Sequence, residues 1–330
     1  MPTRGLLSEG QRARFLMLPD MDGRELVRHH TLSDADLTAV SVRRGAANRL
    51  GFAVQLCLLR YPGRPLRAGE AVPRPIVESA ASQVGADPDA FSDYAGGADG
   101  GAGRDTTRRE HVAEIVKTCG FRAFDAAAYR EFSRWLLPLA EGTDSGEALV
   151  GALLEEMRRR EIVAPALSTT ERLAWETRRR AQGWVFRRLV ADLDEERLRR
   201  LDSLLVVPEG EDETPLNRVR RPPGPPSPKN FKDVLDRLAF VRSLGLPENA
   251  GAGVHHNRLA RLAREGAKTT PQHLRRFDPL RRRATLVAYL SGRAAELSDV
   301  ALEMHDRMIG ALMNRAERCA TKASAGTARP

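Results

Sequence analysis

Helical periodicity recurs along almost the whole of this 330-residue chain, while strand patterns are scarce. The best β-like run is only Leu204-Leu205-Val206-Val207. A chain patterned this way cannot build a sheet, and the expected fold is all-α: several helical modules with helix-turn-helix-like hairpins, joined by Gly-rich and Pro-rich linkers. With 42% hydrophobic and 29% charged residues, the modules have enough apolar material for ordinary cores. No run approaches the roughly 20 apolar residues of a membrane span, and Met1 to Gly10 lacks the features of a signal peptide, so a cytoplasmic protein is expected.

Local signals place the elements. Ser33 caps a helix running to about Arg43, Gly45 supplies a turn, and Asn48 to Arg60 forms a second, largely apolar helix stopped before Pro62-Gly63. Helix, short Gly turn and helix can read DNA, but also describes a plain helical hairpin in which Asn48 merely caps. Short helices over 75–84 and 88–94 end at the Gly-rich tract 96–103, and further helices are expected over 107–118, 125–137 and 145–160. Ser168-Thr169-Thr170-Glu171 has capping-box spacing, and Asp194 to Leu205 closes the middle block. In Arg220-Arg221-Pro222-Pro223-Gly224-Pro225-Pro226-Ser227-Pro228, consecutive prolines force an extended path, and a domain boundary is placed there. Ser227 and Pro228 then open a helix with Phe231, Val234, Leu235, Leu238 and Val241 on one face, followed by helices over 254–265, 271–277, 279–297 and 298–320. The expected domains are 1–95, a linker over 96–105, a middle module over 106–217, a linker over 218–228, a basic module over 229–320 and a disordered tail over 321–330.

Charge is distributed unevenly. The formal net charge is +9, 48 of the 53 basic residues are arginine, and residues 222–330 alone carry +9. Such asymmetry is the footprint of a polyanionic partner, nucleic acid first. The candidate phosphate contacts are Arg220, Arg221 and Lys229 around the prolines, the i, i+3, i+6 stripe Arg258, Arg261 and Arg264, and then Arg275, Arg276, Arg281, Arg282 and Arg283. In the N-terminal hairpin the candidate DNA contacts are Arg43, Arg44, Asn48, Arg49 and Gln55.

Residues for other chemistry do not converge. Cys57, Cys119 and Cys319 are far apart and form neither a disulfide framework nor a thiolate zinc site. The His29-His30 and His255-His256 pairs point to different helix faces, and His111 with Glu114 has no third ligand nearby. The Gly-rich tract is not a phosphate-cradling loop, and no nucleophile motif is present. No cofactor, metal or small-molecule substrate is expected.

Arg43-Arg44-Gly45, Asn48-Arg49-Leu50-Gly51-Phe52-Ala53 and Gln55-Leu56-Cys57-Leu58-Leu59-Arg60-Tyr61-Pro62-Gly63 closely resemble the N-terminal region of Tn3 family (class II, replicative) transposases. The resemblance continues through Thr107 to His111, Gly120-Phe121-Arg122, Pro223 to Asn230, Asn257-Arg258-Leu259, Leu262 to Gly266 and Gln272 to Pro279, so it covers nearly the whole chain. It implies helical modules that hold the terminal inverted repeats of a transposon as double-stranded DNA. It also implies that an Asp-Asp-Glu catalytic site belongs to a separate downstream domain, so strand cleavage is not expected of this chain. The expected role is end recognition by a truncated or split transposase in the bacterial nucleoid, with itself or an intact transposase as further partners. The alternative is a regulatory or structural partner that does not read DNA.

Overall fold

The computed structural model describes residues 5–67, 69–95, 102–247 and 249–326. Sixteen α-helices and no strand occur among these residues, the only β feature being a parallel bridge between Arg122 and Ile162. The contacts divide the chain into two compact units, Met1–Arg179 and Arg180–Pro330.

The first unit contains α1 (Glu9–Leu16), α2 (Gly23–His30), α3 (Asp34–Ser41), α4 (Ala46–Arg60), α5 (Arg74–Val84), α6 (Phe91–Ala95), α7 (Ala102–Thr118), α8 (Ala126–Gly142) and α9 (Gly146–Arg159). Its centre is α4. Every residue from Leu50 to Leu59 is buried, as expected of a helix that is apolar on all sides, and α2, α3, α5, α6 and α7 pack around it. A second buried set comes from α8 and α9, whose Ala128, Phe132, Leu136 and Ala140 recur every four residues and meet a helix bearing Leu149, Val150, Leu153 and Met157. The long α10 (Leu167–Val190) contains the division between the units.

The second unit contains α11 (Glu195–Ser203), α12 (Pro215–Arg220), α13 (Pro228–Ser243), α14 (His256–Lys268), α15 (Pro271–Leu274) and the 48-residue α16 (Pro279–Gly326). The N-terminal half of α16 is the axis: Ala284, Leu286, Val287, Leu290, Leu297 and Met304 are buried, and α11, α13 and α14 pack on it. Close approach of α14 depends on Gly266, where a Cβ would lie 2.6 Å from Tyr289 Cβ.

The caps expected at Ser33, Ser227 and Pro228 are present, with Asp125, Ser145 and Asp194 capping too. Several boundaries differ. The Ser168 capping box does not form, because α10 already starts at Leu167; Glu171 instead pairs with Arg12. Leu204 to Val207 is not a strand: Leu204 and Leu205 join the helical core. Leu235 is 40% exposed although its helical neighbours Val234, Leu238 and Val241 are buried. Ser298 does not start a helix; its Oγ donates to the Ala294 carbonyl within the uninterrupted α16.

The expected domain plan changes accordingly. Residues 106–179 share the first unit with the N-terminal helices, because Ile115 is buried in the core around α4 and Val112, Phe121 and Val163 pack on it. Of the expected linker, 96–101 lies outside the described residues, while 102–105 already belong to α7. The proline segment runs within the second unit rather than between units. Before it, Leu216 and Val219 are fully buried; along it, the Arg221 carbonyl accepts from Arg237 Nη1 (2.5 Å) and Arg293 Nη2 (3.2 Å), and Pro225 O accepts from Asn230 Nδ2 (2.7 Å). Residues 321–326 continue α16 instead of forming a tail, and 327–330 lie outside the described residues.

One glycine sets the packing of α4. A Cβ on Gly51 would lie 2.2 Å from the Tyr94 ring, itself buried against α4. Gly→Ala inside an exposed helix stabilises by about 1 kcal/mol, but Gly51→Ala is expected to destabilise by about 1–3 kcal/mol through overpacking. Urea denaturation of the two proteins measures the sign directly.

Candidate nucleic-acid interface

Along α4 the opening turn and the terminal Arg60 reach solvent, and the helix between them is buried. Gly45, at φ +83°, starts the helix without a side-chain cap, and this conformation excludes most other residues. The Arg44 side chain is exposed with no partner among the described residues, its carbonyl accepts from Asn48 Nδ2 (3.1 Å), and Asn48 and Arg49 are half-buried. Asn48 is therefore not a helix cap. From Leu50 onward α4 cannot lie in a DNA groove, since it is enclosed by its own unit. Gln55 is fully buried, with its Oε1 accepting from Leu66 N (3.0 Å), and is not a base-reading residue. Arg43 is likewise structural: it pairs with Glu114 on α7 and lies over the Phe52 ring at 4.7 Å, and the guanidinium hydrogen bond holds the Glu114 carboxyl below its ordinary range.

The basic residues of the second unit separate into buried or paired clamps and solvent-exposed cations. Arg282 Nε and Arg283 Nη2 both hold Asp202 of α11, at 2.9 and 2.8 Å, and Arg281 pairs with Glu265 at 2.5 Å while covering Phe277. Arg220 donates to the Gly266 carbonyl and lies over Tyr289, where burial lowers its pKa. Arg221 pairs with Glu213 at 2.6 Å. Arg258 is only 5% exposed, so the expected three-arginine stripe is broken at its first member. Arg220, Arg258, Arg282 and Arg283 are buried or half-buried within the unit, whereas Arg221 and Arg281 are paired there but remain 58 and 42% exposed.

Of the sequence candidates in this unit that remain exposed and outside the pairs just described, all but Lys229 lie on α14 and, past the turn Thr269-Thr270, just after α15. Arg261, Arg264 and Lys268 lie on the outer side of α14, and Arg275 and Arg276 follow α15. Arg275 and Arg276 have no carboxylate partner among the described residues. Lys229, at the start of α13, is exposed as well. Gln272 and His273 are exposed within α15, between these cations; sequence reasoning missed them because neither charge nor spacing marks them. Thr270 caps α15 by accepting from His273 N (3.3 Å), which fixes the turn.

The remaining sequence candidates are accounted for structurally. His255 accepts from Asn257 N (3.2 Å) and stacks on His256, while His111 is buried on Tyr94, its Nδ1 3.1 Å from the Tyr94 hydroxyl. Burial raises the Cys57 thiol to about 12, which makes it an inert packing group. Among the described residues no three His, Cys, Asp or Glu side chains are placed to hold a metal, and no helix is long and apolar enough to cross a membrane.

Comparison with known proteins agrees with this architecture. Residues 6–177 match a domain of unknown function (DUF4158), a span nearly coincident with the first unit. Across 96% of its length the chain is 38% identical to the transposase for transposon Tn21 of Escherichia coli. It belongs to the Tn3 transposase family. Similar family members include the transposase for Tn3926 of Escherichia coli, 39% identical, and that for Tn501 of Pseudomonas aeruginosa, 38% identical, each over 96% of this chain. The chain spans about a third of the length of these Tn3-family relatives, 31% in each case, and corresponds to their N-terminal part. The second unit, outside the DUF4158 match, is still inside these alignments.

Proposed function

We propose that this chain binds duplex DNA at the terminal inverted repeats of a transposon, as an end-recognition part of a Tn3-family transposase. The observation that carries this reading is the separation of charge: residues 1–179 contain 25 basic and 25 acidic residues, so the entire +9 lies in the second unit, where exposed cations gather on α14 and α15. Phosphate contacts from the α14–α15 face supply a sequence-independent attraction. The opening turn of α4, with Arg44, Asn48 and Arg49, offers side chains for base contacts or register. Strand cleavage and joining are assigned to residues of the parent transposase beyond this chain, because two-metal phosphoryl chemistry needs convergent carboxylates. The reading places the protein with DNA in the bacterial nucleoid.

Mobility-shift titrations with a duplex carrying the terminal repeat and a scrambled duplex test this. The expected preference for the repeat is roughly 10³-fold at physiological salt. Replacing Arg44, Asn48 and Arg49 by alanine is expected to cost about 1–3 kcal/mol per lost base contact on the repeat and little on scrambled DNA. Equal affinity for both duplexes would exclude end recognition; no binding to either would favour a partner that does not read DNA.

A further inference from the structure

Four separate segments of the first unit enclose a cleft of about 640 Å³ that DNA recognition leaves unused. Its walls are apolar: Leu66 beyond α4, Val112 and Val116 on α7, Phe124 before α8 and Val163 after α9. Val112 and Val116 stand one turn apart and are only partly covered, whereas His111 and Ile115 of the same helix turn into the core around α4. A cleft of this size and character suits a small organic molecule. No sequence motif marks it, because its walls come from segments far apart in the chain.

The polar groups of the cleft are few and unevenly satisfied. Gln55 contributes to its lining although the residue is fully buried. Its Oε1 accepts from Leu66 N (3.0 Å), and a backbone donor fixes that end of the amide as the oxygen, so the NH2 group is the end left over. Nε2 makes no hydrogen bond. The amide is near enough to the Tyr94 hydroxyl to favour its ionised form, but that hydroxyl is engaged with His111 Nδ1 (3.1 Å). A buried donor without an acceptor is costly, and an occupant that brings one removes the cost. Farther along α7, Asp105 pairs with Arg108, while Arg109 is exposed with no carboxylate partner among the described residues.

We propose that the cleft binds a small aromatic anion: a flat apolar ring between the α7 valines and Phe124, a carbonyl oxygen accepting from Gln55 Nε2, and a carboxylate on Arg109. The ring answers the apolar walls, the carbonyl the unmade hydrogen bond and the carboxylate the unmatched cation. Occupancy ties the four segments together and stabilises the folded unit by mass action. The site shares no residue with the opening turn of α4 or the α14–α15 face, so its failure would leave end recognition standing.

Calorimetric titration of the full chain with 6-acetyl-2-naphthoate tests the proposal, since this probe carries the ring, the carbonyl and the carboxylate. One saturable site with Kd on the order of 10⁻⁴ M is expected, with a rise in melting temperature. The 6-isopropenyl analogue has the same shape without the acceptor and is expected to bind about tenfold more weakly. Arg109→Ala is expected to weaken the carboxylate up to about fivefold and to leave its methyl ester unchanged. Ala113→Trp places a ring in the cleft from an exposed position, and is expected to abolish binding without lowering the melting temperature of the unliganded chain. No saturable site up to about 1 mM, binding that survives Ala113→Trp, or equal affinity for the acetyl and isopropenyl probes overturns it.

Discussion

Replacing Arg264, Lys268, Arg275 and Arg276 by alanine is expected to weaken binding to terminal-repeat and scrambled duplexes alike, by on the order of 10³ near 0.1 M salt if all four touch phosphate. The magnitude follows from counterion release, which lowers the slope of log K against log salt by about 0.9 per contact, or about 3.6 for four. All four side chains are exposed, so their loss should leave the melting temperature close to that of the native protein. The control is Arg282→Ala with Arg283→Ala. Those guanidiniums are committed to Asp202, so the expected result is a lower melting temperature and an unchanged salt slope. A salt series on both variants with both duplexes checks the division. If the Arg282/Arg283 variant flattens the slope while the four-cation variant does not, the basic face lies elsewhere on the second unit.

The reason sequence could not make this division is geometric. A guanidinium has the same appearance in the chain whether it clamps Asp202 or faces water, and only the partner, 80 residues away, distinguishes them. The stripe Arg258, Arg261 and Arg264 shows the same limit in its angles: at about 100° per residue, a step of three falls about 60° short of a full turn. Two steps drift about 120°, enough to carry Arg258 into the core while Arg264 stays in solvent. Helix starts were legible because their signals are local, as at Ser33 and at Ser227 with Pro228. The domain boundary was not. Prolines announce an extended backbone but say nothing of what that backbone docks on, and here Arg237 and Arg293 fasten the Arg221 carbonyl to the second unit. The actual division falls inside α10, whose local pattern continues unbroken. Gln55 failed for a related reason: its amide satisfies a buried backbone donor at Leu66, a need that sequence spacing does not display.

The first unit is also expected to lose stability in two steps as pH falls, because several of its groups hold protons less readily in the folded than in the unfolded state. His30 is 1% exposed; its Nε2 lies 3.0 Å from the Tyr61 carbonyl and must donate to it, while Nδ1 is buried without a partner. Burial lowers its pKa below 6.5, as it does for His111. The unfolded chain therefore binds more protons below about pH 6.5, and stability declines from there as the solution is acidified. The second step belongs to carboxylates. Glu156 is held to about 2 by hydrogen bonds from Arg159, against opposing desolvation, and from Arg160; the corresponding distances include 2.7 Å from Arg159 Nη2 and 2.6 Å from Arg160 Nη2. For Glu70, burial favours the neutral form, but hydrogen bonds from Arg64 and from Arg67 N outweigh it and lower the pKa. These contributions are complete above the unfolded value near 4.5 and disappear as pH falls toward 2. Allowing for screening by solvent, Glu156 alone contributes about 2 kcal/mol at neutral pH. His30→Gln, which can still donate to Tyr61 O, is expected to flatten the decline between pH 7 and 5, and Glu156→Gln to remove part of the decline below 4.5 at a cost in stability at pH 7. Unfolding curves for the native chain and each variant at pH 7, 5 and 3.5 separate the two limbs. If His30→Gln leaves the upper limb unchanged, the buried imidazole is not its source.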